Sequence, residues 1–442
     1  MNICKVIIMG AGGRDFHNFN VVFRNNPNYR VIAFTAAQIP GIEMKRYPPS
    51  LAGPLYPSGI PIYPEERLAE LIRLFKVDEV ILSYSDLTYE DVGRKLSTVL
   101  ATGASFRILG PDETMLSSFK PVIAVTAVRT GAGKSTVSRA VVKELLRRGI
   151  KPAIVRHPMA YGDLERAIVQ IFENINDFDK YNTTIEEREE YEPYVKMGLT
   201  VLAGVDYEKV LLEAEKRGDV ILWDGGNNDW PFFRPNYMIT VADAMRPGQE
   251  VSSFPGEVNV RMANAVIVNK ISQARPENVN IVIKNIRSIN PKVHIVKADM
   301  EVYVEKPSLI SGKRVVVVED SPSVTHGELP YGAGYVAAKK YNASEIVDPR
   351  PYAKGVIKKM YEEYPHMGPV VPSTGYTPKQ LRDLEDTLNA VKADVVILGT
   401  PADITKLINV NKPVIHVKYE LKVIEGPSIT ELIDEFLEKI EM

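Results

Sequence analysis

The sequence predicts an α/β protein built on parallel sheets, and three observations predict it. Short apolar runs rich in Val and Ile alternate with amphipathic stretches along most of the chain, the runs are bounded by Gly, Pro or Asp, and two of them lead straight into glycine-rich turns. Strands buried on both faces lose the in–out alternation, and the helices that connect them cover the faces of a parallel sheet. At 442 residues the chain is too long for one core, so two or three domains are expected.

In chain order, strands are expected at 4–9, 30–35, 79–83 and 106–109, with helices at 64–76 and 88–102. Pro64 followed by Glu65 and Glu66 suits a helical first turn, whose dipole and free amides favour acids. The polar, turn-rich stretch GPDETMLSSFK, 110–120, reads as the main boundary. A second series follows, with strands at 121–127, 152–156, 219–223, 237–242, 264–268, 292–296, 313–318, 394–398 and 413–417. Its helices are expected at 134–148, 206–217, 276–288, 377–391 and 428–440. The acidic, aromatic segment 176–196 shows no clear periodicity and reads as a lid or an insertion.

Composition narrows the function classes. Lys plus Arg is 54 and Asp plus Glu is 56, a balance that argues against a general nucleic-acid coat. Hydrophobic residues at 45% and charged residues at 25% are those of a soluble globular chain. The single cysteine, Cys4, excludes an internal disulfide framework. No apolar run approaches the ~18 residues of a spanning helix, and the run 3–9 is too short for a signal peptide. A cytoplasmic protein is therefore expected, with neither nucleic acid nor membrane as partner, and as a homodimer. Sparse glutamine and 31 prolines point to a heat-adapted source.

The strongest chemical signal is VIAVTAVRTGAGKSTVSRAVVKELLRRG, 122–149. An apolar strand runs into Thr130, Gly131, Ala132, Gly133, Lys134, Ser135 and Thr136 and then into an amphipathic helix, the context of a phosphate-binding P-loop. Glycines let backbone amides approach anionic oxygens, and the helix N-terminus adds partial positive charge. Lys134 can reach the β- and γ-phosphates, and the Ser135 hydroxyl can ligate Mg²⁺. Val128 stands where the full motif has its first glycine. Arg129 stands five before Lys134, where one subclass of P-loop enzymes has a second lysine; it is either a cation for the γ-phosphate or a surface arginine.

DVILWDGG, 219–226, ends a strand in Asp224, the expected acid for Mg²⁺, and Asp163 is a candidate second metal or water-positioning group. Lys134, Arg129 and Asp224 form the expected catalytic set. AVIVNKIS, 265–272, resembles the Asn-Lys-x-Asp turn that reads guanine, with Asn269 and Lys270 placed to contact purine and ribose. Ser272 replaces the acid, which favours ATP over GTP.

VIIMGAGGRDFHNFN puts Gly10, Gly12 and Gly13 after the first strand, a Rossmann-like turn, with Arg14, His17 and Asn18 crowding a helix start as for an anion. Arg156-His157-Pro158, Arg246 to Glu250, Glu257 to Arg261 and Thr325-His326-Gly327 fall at strand ends or loops, where an open α/β sheet builds its ligand crevice. Arginine suits bidentate phosphate binding, and no His/Cys pair has zinc-ligand spacing. The layout is thus an N-terminal Rossmann-like parallel-sheet domain (1–117), a P-loop NTPase α/β core (118–310) and a C-terminal α/β extension packed on it (311–442).

GAGGRDFHNFN, TGAGKST, RHPMAYGDL, WDGGNND, RPGQE with FPGEVN, NKI, THGELPYGAG and LGTPADI together resemble the archaeal cyclic 2,3-diphosphoglycerate synthetases and relatives labelled predicted GTPases. The resemblance spans essentially the whole chain. It implies an ATP-dependent ligase, using Mg²⁺ and K⁺, that closes 2,3-diphosphoglycerate into a cyclic anhydride and releases ADP and phosphate. Both ligands would be polyanions, so charge neutralisation and alignment would be the main catalytic task. Arg14, His17, Arg246, Arg261 and His326 are then the expected substrate-side residues, and 176–196 the cover that excludes water. Two alternatives stay open: a GTPase or ATPase switch of the metallochaperone kind acting on a protein partner, and a dethiobiotin-synthetase-like ligase.

Overall fold

A computed structural model describes residues 3–37, 45–157, 163–226, 228–325, 327–374, 377–400 and 404–440. Three mainly parallel sheets follow one another along the chain. The first has the order Arg46–Tyr47, Ile60–Pro64, Tyr29–Ala36, Cys4–Met9, Glu79–Leu82, Ser105–Arg107, parallel except for its two-residue edge. Phe16, Phe19, Phe34 and Tyr47 fill one of its faces.

The central sheet has nine strands in the order Gln170–Phe172, Val201–Ala203, Pro152–Arg156, Val220–Gly225, Val122–Ala127, Tyr237–Asp243, Ala265–Asn269, His294–Tyr303, Lys418–Glu425. Only the two outermost strands are antiparallel to their neighbours. Val122–Ala127 is buried at every residue, as its unbroken apolar run requires. It lies between Val220–Gly225 and Tyr237–Asp243, so the loop that follows it and Asp224 emerge side by side at the carboxyl edge of the sheet.

The third sheet is parallel, in the order Glu345–Ile346, Arg314–Glu319, Val395–Gly399, Val414–His416, and Val371–Pro372 pairs with the end of Arg314–Glu319. The chain then returns to the central sheet. Lys418–Glu425 pairs with His294–Tyr303, and helix Ile429–Ile440 packs Leu432, Ile433 and Phe436 into the core beside the helix Lys134–Arg147. The last strand and helix therefore belong to the central sheet. The strand KYELKVIE is hard to see in the sequence because it is a half-exposed edge, rich in Lys and Glu, although its burial alternates with period 2.

Segment 176–196 is helical and packed. Helix Ile185–Lys196 begins with a reciprocal cap: the Thr184 hydroxyl accepts from the Glu187 amide at 3.1 Å, and the Glu187 carboxylate accepts from the Thr184 amide at 2.8 Å. Tyr191 and Tyr194 are buried. Aromatic and acidic residues facing inward erased the amphipathic pattern that would have revealed the helix.

The first and central domains are joined by polar seams. Ser253–Phe254 pairs antiparallel with Leu87–Thr88. Arg14, 4% exposed, forms an ion pair with Asp229, donates to the Trp230 carbonyl at 2.7 Å, and lies over the Trp230 ring at 4.0 Å. His17 stacks on Phe232 at 4.0 Å and donates from Nε2 to the Thr114 carbonyl at 2.6 Å. Among the described residues no helix is long and apolar enough to cross a membrane. Arg14→Ala strands the buried Asp229 carboxylate and is expected to cost about 3–5 kcal/mol in chemical denaturation. Arg14→Ala combined with Asp229→Ala should recover part of that loss.

Candidate active site

The loop after Val122–Ala127 is shaped by two glycines in the left-handed region, Gly131 (φ 83°) and Gly133 (φ 106°). A side chain at Gly133 would collide with Asn269. Val128, which replaces the motif's first glycine, continues the strand geometry: its amide donates to Val241 at 2.9 Å and its carbonyl accepts from Asn228 Nδ2 and Ser253 Oγ, each at 2.8 Å. No left-handed residue is needed there. Among the described residues, the amides of Gly131, Gly133, Lys134 and Ser135 donate to no backbone carbonyl. Thr130, Gly131, Gly133, Lys134, Ser135 and Thr136 line a cleft of about 1270 Å³, open mouth included.

Polar side chains brace the loop from behind. Asn269 Nδ2 donates to the Ala132 carbonyl at 3.0 Å, and Lys270 Nζ donates to the Gly131 carbonyl and to Asp243 Oδ2, both at 2.7 Å. Pulling the carbonyls backward aims the amides into the cleft, the arrangement that receives phosphate oxygens. Asn269 thus supports the loop, whereas Lys270 both supports it and lines the cleft. Ser272 donates from its amide (3.0 Å) and hydroxyl (2.9 Å) to Asp299 of the neighbouring strand, so a carboxylate stands beside the turn although the turn itself lacks one.

Asp224 is fully buried and fully bonded. Its Oδ1 receives Lys134 Nζ at 3.0 Å and the Ser138 hydroxyl, and its Oδ2 receives Arg156 Nη1 at 2.6 Å and the Tyr194 hydroxyl at 2.7 Å. Burial alone would raise its pKa, but Arg156 and Lys134 outweigh it and hold the carboxyl well below the usual range. Burial, with Arg156 nearby, lowers the pKa of Lys134. With every oxygen engaged, Asp224 orders the loop lysine and has no free oxygen for a metal. Ser135 lines the cleft and fits a divalent ion held mainly by phosphate oxygens and water; among the described residues no group of three or more His, Cys, Asp or Glu forms a metal cage. Asp163 is exposed, accepts from the Glu165 amide at 3.0 Å and is not a lining residue.

Arg129 lines the cleft with Nε 2.9 Å from Asp86 Oδ1, which also accepts from the Thr130 amide at 3.3 Å. None of the described residues expected to hold a substrate polyanion lines the cleft, and each is already bonded. Arg246 bonds the Thr130 carbonyl at 2.9 Å, the Gly327 carbonyl and Asp243. Arg261 pairs with Glu257 one turn earlier, and Arg14 and His17 lie in the domain seam. His17 is neutral, its pKa pushed down to about 3 by burial. The N-terminal glycine turn is occupied by Asp15, whose carboxylate accepts from the amides of Gly12 (2.8 Å), Gly13 (3.0 Å) and Phe16 (2.7 Å), the place an anion would take. His326 and Pro158 lie outside the described residues.

Sequence reasoning missed the acidic side of the cleft: Glu189, Glu190, Glu319 and Asp320 all line it. Glu319 and Asp320 end the strand run VVVVED at a carboxyl edge, a signal available in the sequence. Glu189 and Glu190 were hidden in the segment 176–196. Burial pushes Glu319 up to about 7, against the amides of Tyr335 (2.7 Å) and Gly334 (3.1 Å). Burial and the adjacent Asp320 raise Glu189 well above the usual range. Glu190 is paired with Arg156.

Known proteins place this geometry in context. The chain is 53% identical over 437 residues to the arginine synthetase ArcE of Thermococcus kodakarensis, covering 99% of this chain and 98% of that protein. It is 26% identical over 111 residues to the cyclic 2,3-diphosphoglycerate synthetase of Thermococcus sibiricus, a quarter of each chain. The kinship to synthetases expected from the motifs is therefore present, but at full length it is to an arginine synthetase. Among solved structures, HypB from Helicobacter pylori is 14% identical, covers 40% of this chain and 78% of its own, and gives a TM-score of 0.26. No family model matches the chain.

Glu319 yields a pH prediction. Its folded pKa is raised from 4.5 to about 7, so its contribution to stability is full below 4.5 and is lost as pH rises to about 7. Thermal melts between pH 4.5 and 8 should show a smaller decline for Glu319→Gln than for the unaltered protein. Parallel declines would refute the assignment.

Proposed function

The chain belongs to the family of the arginine synthetase ArcE, and from that kinship we propose that it is an ATP-dependent synthetase that completes the guanidinium group of arginine. Phosphate activation of a ureido oxygen allows the last guanidino C–N bond of arginine to form. The ureido oxygen of citrulline attacks the γ-phosphorus of ATP and ADP departs. Ammonia adds to the activated carbon, and phosphate leaves with the former ureido oxygen. Citrulline, ammonia and ATP thereby become arginine, ADP and phosphate.

The observation that carries this reading is the pairing, in one cleft, of a phosphate loop with the carboxylates Glu189, Glu190, Glu319 and Asp320. Lys134, Arg129 and the loop amides suit the triphosphate. A neutral ureido group becomes a cation as the reaction proceeds, and nearby carboxylates favour that change more in the transition state than in the ground state. Asp224, through its bond to Lys134, positions the lysine. Mg²⁺ on Ser135 and the phosphate oxygens would screen further negative charge.

A second reading, ring closure of 2,3-diphosphoglycerate, draws on the shared motifs and the quarter-length kinship. It meets an electrostatic objection: a polyanion would face those carboxylates, while Arg14, Arg246 and Arg261 are committed to other partners.

ADP release should rise when citrulline and ammonium are supplied together and stay at its basal level with 2,3-diphosphoglycerate. Stimulation by the bisphosphate alone would overturn the proposal. Lys134→Ala should lower turnover by about 10²-fold or more, on the scale of a lost transition-state charge contact.

A further inference from the structure

We propose that Glu189, Glu319 and Asp320 form a subsite for a cationic nitrogen group, guanidinium or ammonium, in the cleft shared with the phosphate loop. The assignment deepens the arginine-forming reading and rests on it for the identity of the ligand. The three carboxylates come from separate parts of the chain: Glu189 from helix Ile185–Lys196 of the central domain, and Glu319 and Asp320 from the end of a strand in the third sheet.

Their surroundings are unusual for buried acids. Glu189 is 2% exposed and Glu319 1%. Glu189 Oε1 accepts from the hydroxyls of Ser373, at 3.0 Å, and Thr400. Glu189 Oε2 is buried and receives no donor from the described residues; the carboxyl faces that of Asp320 at the edge of the cleft. Glu319 is held by the amides at the start of helix Ala333–Lys340, and Asp320 by the amide and hydroxyl of Ser323. Among the described residues no Lys or Arg forms an ion pair with any of the three, whereas nearby Asp224 and Glu190 both pair with Arg156.

A buried carboxylate without a cation is costly unless it stays protonated or a ligand brings the charge. Here carboxyl groups with no ion-pair partner among the described residues border open space. Tyr331 lines the same space and stacks on Tyr335 at 4.4 Å, offering an aromatic face of the kind that attracts cations. Gly332 and Gly399 leave the Glu319 carboxylate its place, since a side-chain carbon at either would collide with it. A planar guanidinium can donate to two carboxylates at once, which a neutral ureido group of the same shape does only weakly.

Calorimetric titration of the full chain with ADP present tests this, using L-arginine, L-citrulline and methylguanidinium chloride as probes. The unaltered protein should bind arginine at least tenfold more tightly than citrulline. Glu189→Gln and Asp320→Asn should each weaken arginine tenfold or more while leaving citrulline and ADP within twofold. Unchanged arginine affinity in both variants, or equal losses for arginine and citrulline, would overturn the subsite. If arginine does not bind but methylguanidinium does, and Glu189→Gln abolishes that binding, the subsite stands and the arginine reading falls. Failure of the unaltered protein to bind either cation would overturn the subsite without recourse to any variant.

Discussion

The buried carboxylate of Asp224 is the interaction on which the site depends. It receives Lys134 and Ser138 from the loop helix, Arg156 from the adjacent strand and Tyr194 from helix Ile185–Lys196. Removing one partner of such a network leaves a buried charge uncompensated, so its geometry is held far more tightly than that of a surface pair. Through Arg156 the network reaches Glu190, and the same helix carries Glu189. Loop lysine and acidic wall are thus registered by one set of bonds.

Charge is sorted around that node. The cations behind the loop are spent on carbonyls and acids of the chain: Lys270 on Gly131 and Asp243, Arg246 on Thr130 and Asp243. The loop amides, with Lys134 held at the cleft by Asp224, face the space for an anionic nucleotide. On the other side Glu189, Glu319 and Asp320 gather with no Lys or Arg ion-paired to them among the described residues. Such a cleft favours two ligands of unlike charge, an arrangement suited to a reaction that passes phosphate and creates a guanidinium.

The sequence was most legible where function is local. Thr130 to Thr136 identify themselves because the glycines, lysine and helix are contiguous, and Asp224 because a buried strand ends there. Residue type alone misled where tertiary contacts decide the role. Arg14 and His17 after a glycine turn look like an anion site, yet Asp15 fills that turn and the cations serve a domain seam. Asn269 resembles a base contact and instead holds the Ala132 carbonyl. Glu319 and Asp320 were legible as a strand end, but the acidic wall as a set was not, because they meet Glu189 and Glu190 only when the third sheet docks on the central domain. The cap Thr184 to Glu187 was readable, but inward-facing aromatic residues hid the helix it begins.

The central claim is that the phosphate loop activates a ureido oxygen beside carboxylates that accept the resulting cation. Citrulline labelled with ¹⁸O in its ureido group tests it most directly, by mass spectrometry of the phosphate released during turnover with ATP and ammonium. The account predicts one labelled oxygen in phosphate for each arginine formed. Unlabelled phosphate accompanying arginine would contradict it.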